Sequence, residues 1–211
     1  MIEKFLDVIF PKVCLECGKQ GEQYICSSCL SKSKLNFKIV NIYNKDYKYL
    51  VYLEKYQDNI RHKILNFKFY DEAYIGEYFI KFLLKNKSLC EFLKKFDLII
   101  PVPMYKSKKS RRGYNQTELL ANSLSKTLNI ECRKDILVKV KENKTQSRLH
   151  EKERIKNVKN VFSVESQNNI FGKNIILVDD ISTTGATIGE CAKLLKKVGA
   201  DTICAFVIAK T

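Results

Sequence analysis

Two stretches of the 211-residue chain bring together residues that can do chemistry. In the first, IILVDDISTTGAT at 175–187, four aliphatics run into Asp179 and Asp180, then into Ser182, Thr183, Thr184, Gly185, Ala186 and Thr187. Adjacent carboxylates repel and are costly to desolvate, so a buried strand gains no stability from ending in two of them. Read as strand, turn and helix, the segment offers an anion site at the helix start, where free N–H groups and the helix dipole converge. The threonine hydroxyls add donors, and Gly185 lets the backbone approach a phosphate closely. No lysine follows the glycine, so the loop is not a Walker A. Two acids beside a phosphate cradle repel a second phosphate and suit neutral hydroxyls. The ligand implied is a ribose 5-phosphate with its 2′ and 3′ hydroxyls on Asp179 and Asp180.

The second stretch is CLEC at 14–17 followed by CSSC at 26–29. Two such pairs, eight residues apart, let Cys14, Cys17, Cys26 and Cys29 converge tetrahedrally, the geometry Zn²⁺ prefers. Gly18 and Gly21 provide the tight turn between them. Four cysteine ligands leave no open position, so the zinc is expected to be structural. A unit this short cannot bury a core of its own. Loss of the metal is expected to unravel it and leave the rest folded. Cys90, Cys132, Cys191 and Cys204 stand alone in apolar surroundings and read as buried residues.

The elements that must position these groups alternate. YLVYLEKY reads as a strand, DNIRHKILNFKFY and AYIGEYFIKFLLK as amphipathic helices, and FDLIIPVP as a buried strand stopped by Pro101 and Pro103. NQTELLANSLSKTL is a helix, ILVKV a short strand and NIILVDD an apolar strand. ATIGECAKLLKKVGA is a helix ended at Gly199, and TICAFVIA is the last strand. Apolar strands alternating with helices indicate an α/β fold, a parallel sheet covered on both faces. Residues 1–45 are expected to form the four-cysteine module and 46–211 the α/β domain. Segment 141–160 is polar and basic with little helical signal.

Composition adds limits. No apolar run approaches the roughly 20 residues of a membrane span, and no signal-peptide pattern opens the chain, so the expectation is a cytoplasmic protein without stable membrane insertion. The net charge of +15 points to an anionic partner. Only six of the 38 cations are Arg, and the chain is rich in Asn, Ile and Tyr, so a bias in base composition would also account for the charge. Lys106, Lys108, Lys109, Arg111 and Arg112 cluster between Tyr105 and Tyr114, and more cations run from Lys139 to Lys156. Cations beside rings on which bases can stack make a platform for single-stranded DNA.

Residues 175–187 resemble the signature of the type I phosphoribosyltransferase fold, which binds phosphoribosyl pyrophosphate (PRPP) with Mg²⁺. The order along the chain extends that likeness: the four-Cys start, PVP at 101–103, RRGYNQTELLA at 111–121, TQSRLHEKERIKNV at 145–158 and VDDISTTGAT. Together these resemble the ComF family, competence-associated proteins used in DNA uptake. The resemblance gives Asp179 and Asp180 the ribose hydroxyls and Ser182 to Thr187 the 5-phosphate. It places Val102, Tyr105 and Lys106 near the pyrophosphate. Segment 141–156 corresponds to the loop that closes over ligand, with Thr145, Gln146, Arg148 and Arg154 as candidates. Arg148 and Arg154 join Lys108, Lys109, Arg111, Arg112 and Tyr114 as candidate DNA contacts. The implied setting is the cytoplasm, with a peripheral place at the inner membrane, beside other DNA-uptake proteins. Purine-salvage enzymes of this fold carry an acid where Thr183 stands, and threonine cannot exchange a proton with a base at neutral pH. No catalytic residue is therefore assigned. The alternative is a phosphoribosyltransferase of nucleotide metabolism with an unidentified acceptor.

Overall fold

The computed structural model describes residues 12–43, 46–69, 74–142, 157–165 and 170–211. The cysteines lie around β1 (Lys12–Val13), β2 (Gln20–Gly21) and α1 (Ser27–Lys32). A hairpin of β3 (Lys38–Asn41) and β4 (Tyr49–Lys55) follows, then α2 (Asp58–Phe69), α3 (Ile75–Leu83) and α4 (Lys87–Leu93). β5 (Leu98–Pro101) leads through α5 (Lys106–Arg112) to α6 (Gln116–Leu128), β6 (Glu131–Cys132) and β7 (Leu137–Lys139). The chain closes with β8 (Phe162–Val164), β9 (Ile175–Val178), β10 (Ile181–Ser182), α7 (Ala186–Lys197) and β11 (Ile203–Lys210).

The main sheet runs β3-β4-β11-β9-β5-β6, with β10 pairing β11 beyond β9. Every pair is parallel except β3 with β4. Period-two alternation divides the strand side chains between two cores. Ile176, Val178, Ile99, Val51 and Phe206 face α3 and α6, whereas Ile175, Leu177, Ile100, Leu50 and Ala205 face α7. From α7 the contact is made by Ile188, Cys191, Ala192 and Leu195, the stripe read from the sequence, with Val198 partly buried beside it. Gly199 follows at φ +93°, a backbone angle that disfavours a side chain.

Several features were not read from the sequence, among them the short strands β6 and β10. β3 is a short, largely exposed edge strand of the main sheet, so the expected boundary at 45/46 falls inside the β3–β4 hairpin. α4 is seven residues long, too short for its apolar repeat to stand out. β8 pairs with β7 in a separate antiparallel ribbon. The basic run after β5 is helical although it has no apolar face: its cations complement the negative end of the helix dipole, and Gly113 at φ +81° ends it. Of the four lone cysteines, Cys90, Cys191 and Cys204 are buried, whereas Cys132 is half-buried. Among the described residues, no helix is long and apolar enough to cross a membrane.

Candidate functional site

Asp179 and Asp180 lie where β9 passes into β10, held within the ladder rather than hanging from its end. The Asp179 N–H donates to the Phe206 carbonyl at 3.0 Å, and the Asp180 carbonyl accepts from Ile208 N at 3.0 Å. Both side chains are buried, at 9% and 5% exposure. Burial this deep requires donors. The Asp180 N–H bonds Asp179 Oδ1 at 2.8 Å, and Gln116 Nε2 bonds Asp180 Oδ2 at 2.8 Å. Behind Gln116, the Arg112 guanidinium donates to its Oε1. Burial lowers the pKa of Arg112, and the charge of Asp180 works the other way.

The register places Pro101 beside Val178, so the turn after β5 lies next to the acids. Val102 is buried and acts through its backbone: its N–H donates to the Val178 carbonyl at 2.8 Å. Its carbonyl accepts from Thr117 Oγ1 at 2.6 Å and Asn115 Nδ2 at 3.3 Å. Half-buried Lys139, at the end of β7, lies within electrostatic reach of Asp179 and Lys108. Burial lowers its pKa, nearby Lys108 lowers it further, and Asp179 opposes them.

Past the acids, Ser182 is buried and Thr183 and Thr184 are half-exposed. Gly185 forms the N-cap of α7 at φ +74° and has no side chain of its own to cap the helix. Thr184 Oγ1 accepts from Ala186 N at 3.3 Å. Buried carboxylates and a helix start facing a tight glycine turn can serve a ligand that is anionic at one end and hydroxylated beside it.

The sulfurs of Cys14, Cys17, Cys26 and Cys29 all lie within 4.8 Å of one another. Cys17 Sγ and Cys26 Sγ are 3.9 Å apart. A tetrahedral zinc with bonds near 2.3 Å needs sulfurs about 3.8 Å apart, so the set fits a metal. Burial works against the Cys14 thiolate, but hydrogen bonds from the backbone of Cys26, Glu16 and Cys17 outweigh it and bring its pKa down to about 6. Sulfur hydrogen bonds with Cys26 and Cys17 push Cys29 up to about 12. Within the first cysteine pair, Glu16 accepts from the buried Tyr78 hydroxyl and lies 3.4 Å from Lys63 Nζ.

Residues 115–211 match the family model of the phosphoribosyl transferase domain. Competence protein F of Haemophilus influenzae is 34% identical over 203 residues, spanning 93% of this chain and 84% of that protein. The chain belongs to the ComF family. DNA utilization protein YhgH of Escherichia coli O157:H7 is 35% identical over 115 residues, 54% of this chain and 50% of that protein. A purine phosphoribosyltransferase from Pyrococcus horikoshii aligns at TM-score 0.38 and 20% identity over 59% of this chain and 79% of its own. The ComF chain thus carries a type I phosphoribosyltransferase-like sheet flanked by helices, with a four-cysteine cluster at its N-terminal end.

Of the residues expected at the site of this ComF protein, Asp179, Asp180, Ser182–Thr187 and Val102 come together at neighbouring strand ends. Half-buried Tyr105 precedes α5 and exposed Lys106 opens it. The expected row of free cations is divided. Lys109 Nζ sits 2.8 and 2.9 Å from the Glu118 carboxylate oxygens, Arg111 is 3.9 Å from Glu142, and Arg112 turns toward Gln116. Tyr114 is half-buried against the core rather than freely exposed. Thr145, Gln146, Arg148 and Arg154 lie outside the described residues. Asn115, Gln116, Thr117 and Lys139 were not read as part of the ligand site. The Asn before a helix was the one available cue, because Asn is a favoured N-cap.

Proposed function

We propose that this ComF protein binds PRPP with Mg²⁺ and single-stranded DNA during DNA uptake and natural transformation. The observation that carries the reading is the buried acid pair beside the helix start at Gly185. Asp179 and Asp180 accept the ribose hydroxyls, residues 182–187 hold the 5-phosphate, and the turn at Val102–Lys106 faces the pyrophosphate. Lys139 and Lys108 add positive charge on that side. Zinc on the four cysteines is structural. The names competence protein and DNA utilization protein, borne by the relatives, support the DNA part of the reading. In it the protein works in the cytoplasm, peripherally at the inner membrane, beside other uptake proteins.

Calorimetry with PRPP·Mg²⁺ and a single-stranded oligonucleotide, on one preparation, tests both ligands. The Asp179→Ala, Asp180→Ala double variant should lose the rise in melting temperature that PRPP gives the native protein by mass action. Undiminished binding by that variant would put the sugar elsewhere. Transfer of the ribosyl group to any of a panel of bases would favour the metabolic alternative. Thr183, in place of an acid, argues against such turnover.

A further inference from the structure

We propose that Gln116 is a positioning residue: its amide, backed by Arg112, sets the Asp180 carboxylate, while Asn115 and Thr117 hold the turn after β5 in register with it. The inference rests on the PRPP reading for what the two strand ends bind, not for the contacts themselves. Three consecutive residues at the start of α6 reach two places. Asn115 and Thr117 bond the Val102 carbonyl, and Gln116 bonds Asp180, 64 residues away in sequence. Side chains fan by about 100° per residue around a helix, so its first residues can address adjacent strand ends. All three are at most 7% exposed.

The chemistry favours an amide at this position. A guanidinium supplies only donors and a carboxylate only acceptors, so Gln116 fits between Arg112 and Asp180 in one orientation, Oε1 toward Arg112 and Nε2 toward Asp180. A direct Arg–carboxylate fork would occupy Asp180 with two strong bonds. An interposed amide supplies one neutral donor and leaves acceptor capacity on the carboxylate for a hydroxyl. Arg112, held one group back, polarises the amide and strengthens its bond. Neither Arg112 nor Gln116 need touch the ligand for this to work.

Two substitutions and two readouts test the role. Gln116→Met keeps the size and removes both bonds. It should weaken PRPP·Mg²⁺ about tenfold in calorimetry, the worth of one hydrogen bond to a charged group. Gln116→Glu sets a second carboxyl against Asp180, and two carboxyls in contact share a proton. The charged groups around the pair are Arg112 with Tyr114 nearby, Asp179 and, beyond Asp179, Lys139 and Lys108. A carboxyl whose pKa is raised on folding contributes stability below that pKa and loses it as pH rises through it. The melting temperature of Gln116→Glu without ligand, measured against the native protein, should therefore climb from mildly alkaline to mildly acid pH. A melting difference flat with pH, or a Gln116→Met protein that binds PRPP as well as the native one, overturns the proposal. Should the native protein fail to bind PRPP, the sugar reading falls, and the ligand-free pH profile still decides the role of Gln116. The same profile decides it if Gln116→Met does not fold.

Discussion

At Lys139 two demands on one side chain conflict. Its ammonium is partly buried beside Lys108, which weighs against folding, yet it lies within electrostatic reach of Asp179, where a cation would serve the proposed anionic ligand. A lysine whose pKa is lowered on folding weighs against the folded state below that pKa and stops doing so as pH rises through it. Lys139→Met should therefore raise the melting temperature at neutral pH, and the gain should shrink toward alkaline pH. The same variant should bind PRPP·Mg²⁺ more weakly, because a cation near its phosphates is gone. A stability gain with unchanged affinity would remove Lys139 from the ligand site. The acid pair was legible from its own neighbours, since two carboxylates after four aliphatics cannot be there for packing. Lys139, Gln116 and Thr117 were not, because each meets its partner well beyond its local stretch, 15 residues away for Thr117 and 64 for Gln116, and sits in an unremarkable local pattern.

Elements were legible wherever burial imposed a period. The strands of 98–101, 175–178 and 203–210 are buried on both faces and read as apolar runs, and α7 shows its stripe at three and four. α5 escaped because nothing in it is buried and its stability comes from charge at its C-terminal end and from Gly113. As a helix it divides its cations by direction, which a linear reading could not do. Lys108 is half-buried toward Lys139, Lys109 is engaged by Glu118, and Arg111 is the most exposed of those with a described acidic neighbour. Single-strand binding at about −0.7 in log–log salt slope per phosphate separates these positions. Arg111→Ala and Lys108→Ala should each flatten the slope by about that amount. Lys109→Ala should change it less, because its charge is already answered by a carboxylate. Equal effects at all three would mean that the Glu118 pair opens when DNA binds.

For the molecule as a whole, the question is whether the four-cysteine unit is an appendage. From the sequence it reads as one, with the remainder folding without it. Its packing argues for a shared core. Cys14 and Ile25 belong to the same cluster as Val51 and Phe206, and the Phe37 ring stacks on Phe206 at 4.8 Å. Glu16, between the first two cysteines, bonds the hydroxyl of Tyr78, whose ring is buried in α3. α3 in turn packs against α6, whose first residues bond Asp180 and the turn after β5. Without metal the four sulfurs must share protons, with Cys14 down at about 6 and Cys29 up at about 12, and the cluster loses the bonds that fix it. Cys26→Ser should therefore abolish bound zinc and lower the melting temperature by on the order of 5–10 °C, as the loss of a few kcal/mol does in a chain of this size. Hydrogen exchange locates the damage. Protection should fall at residues 14–29 and also along Tyr78–Leu83, where the knuckle covers α3. If the loss stops at the first thirty residues, the unit is independent after all, and the shared core does not couple it to the site.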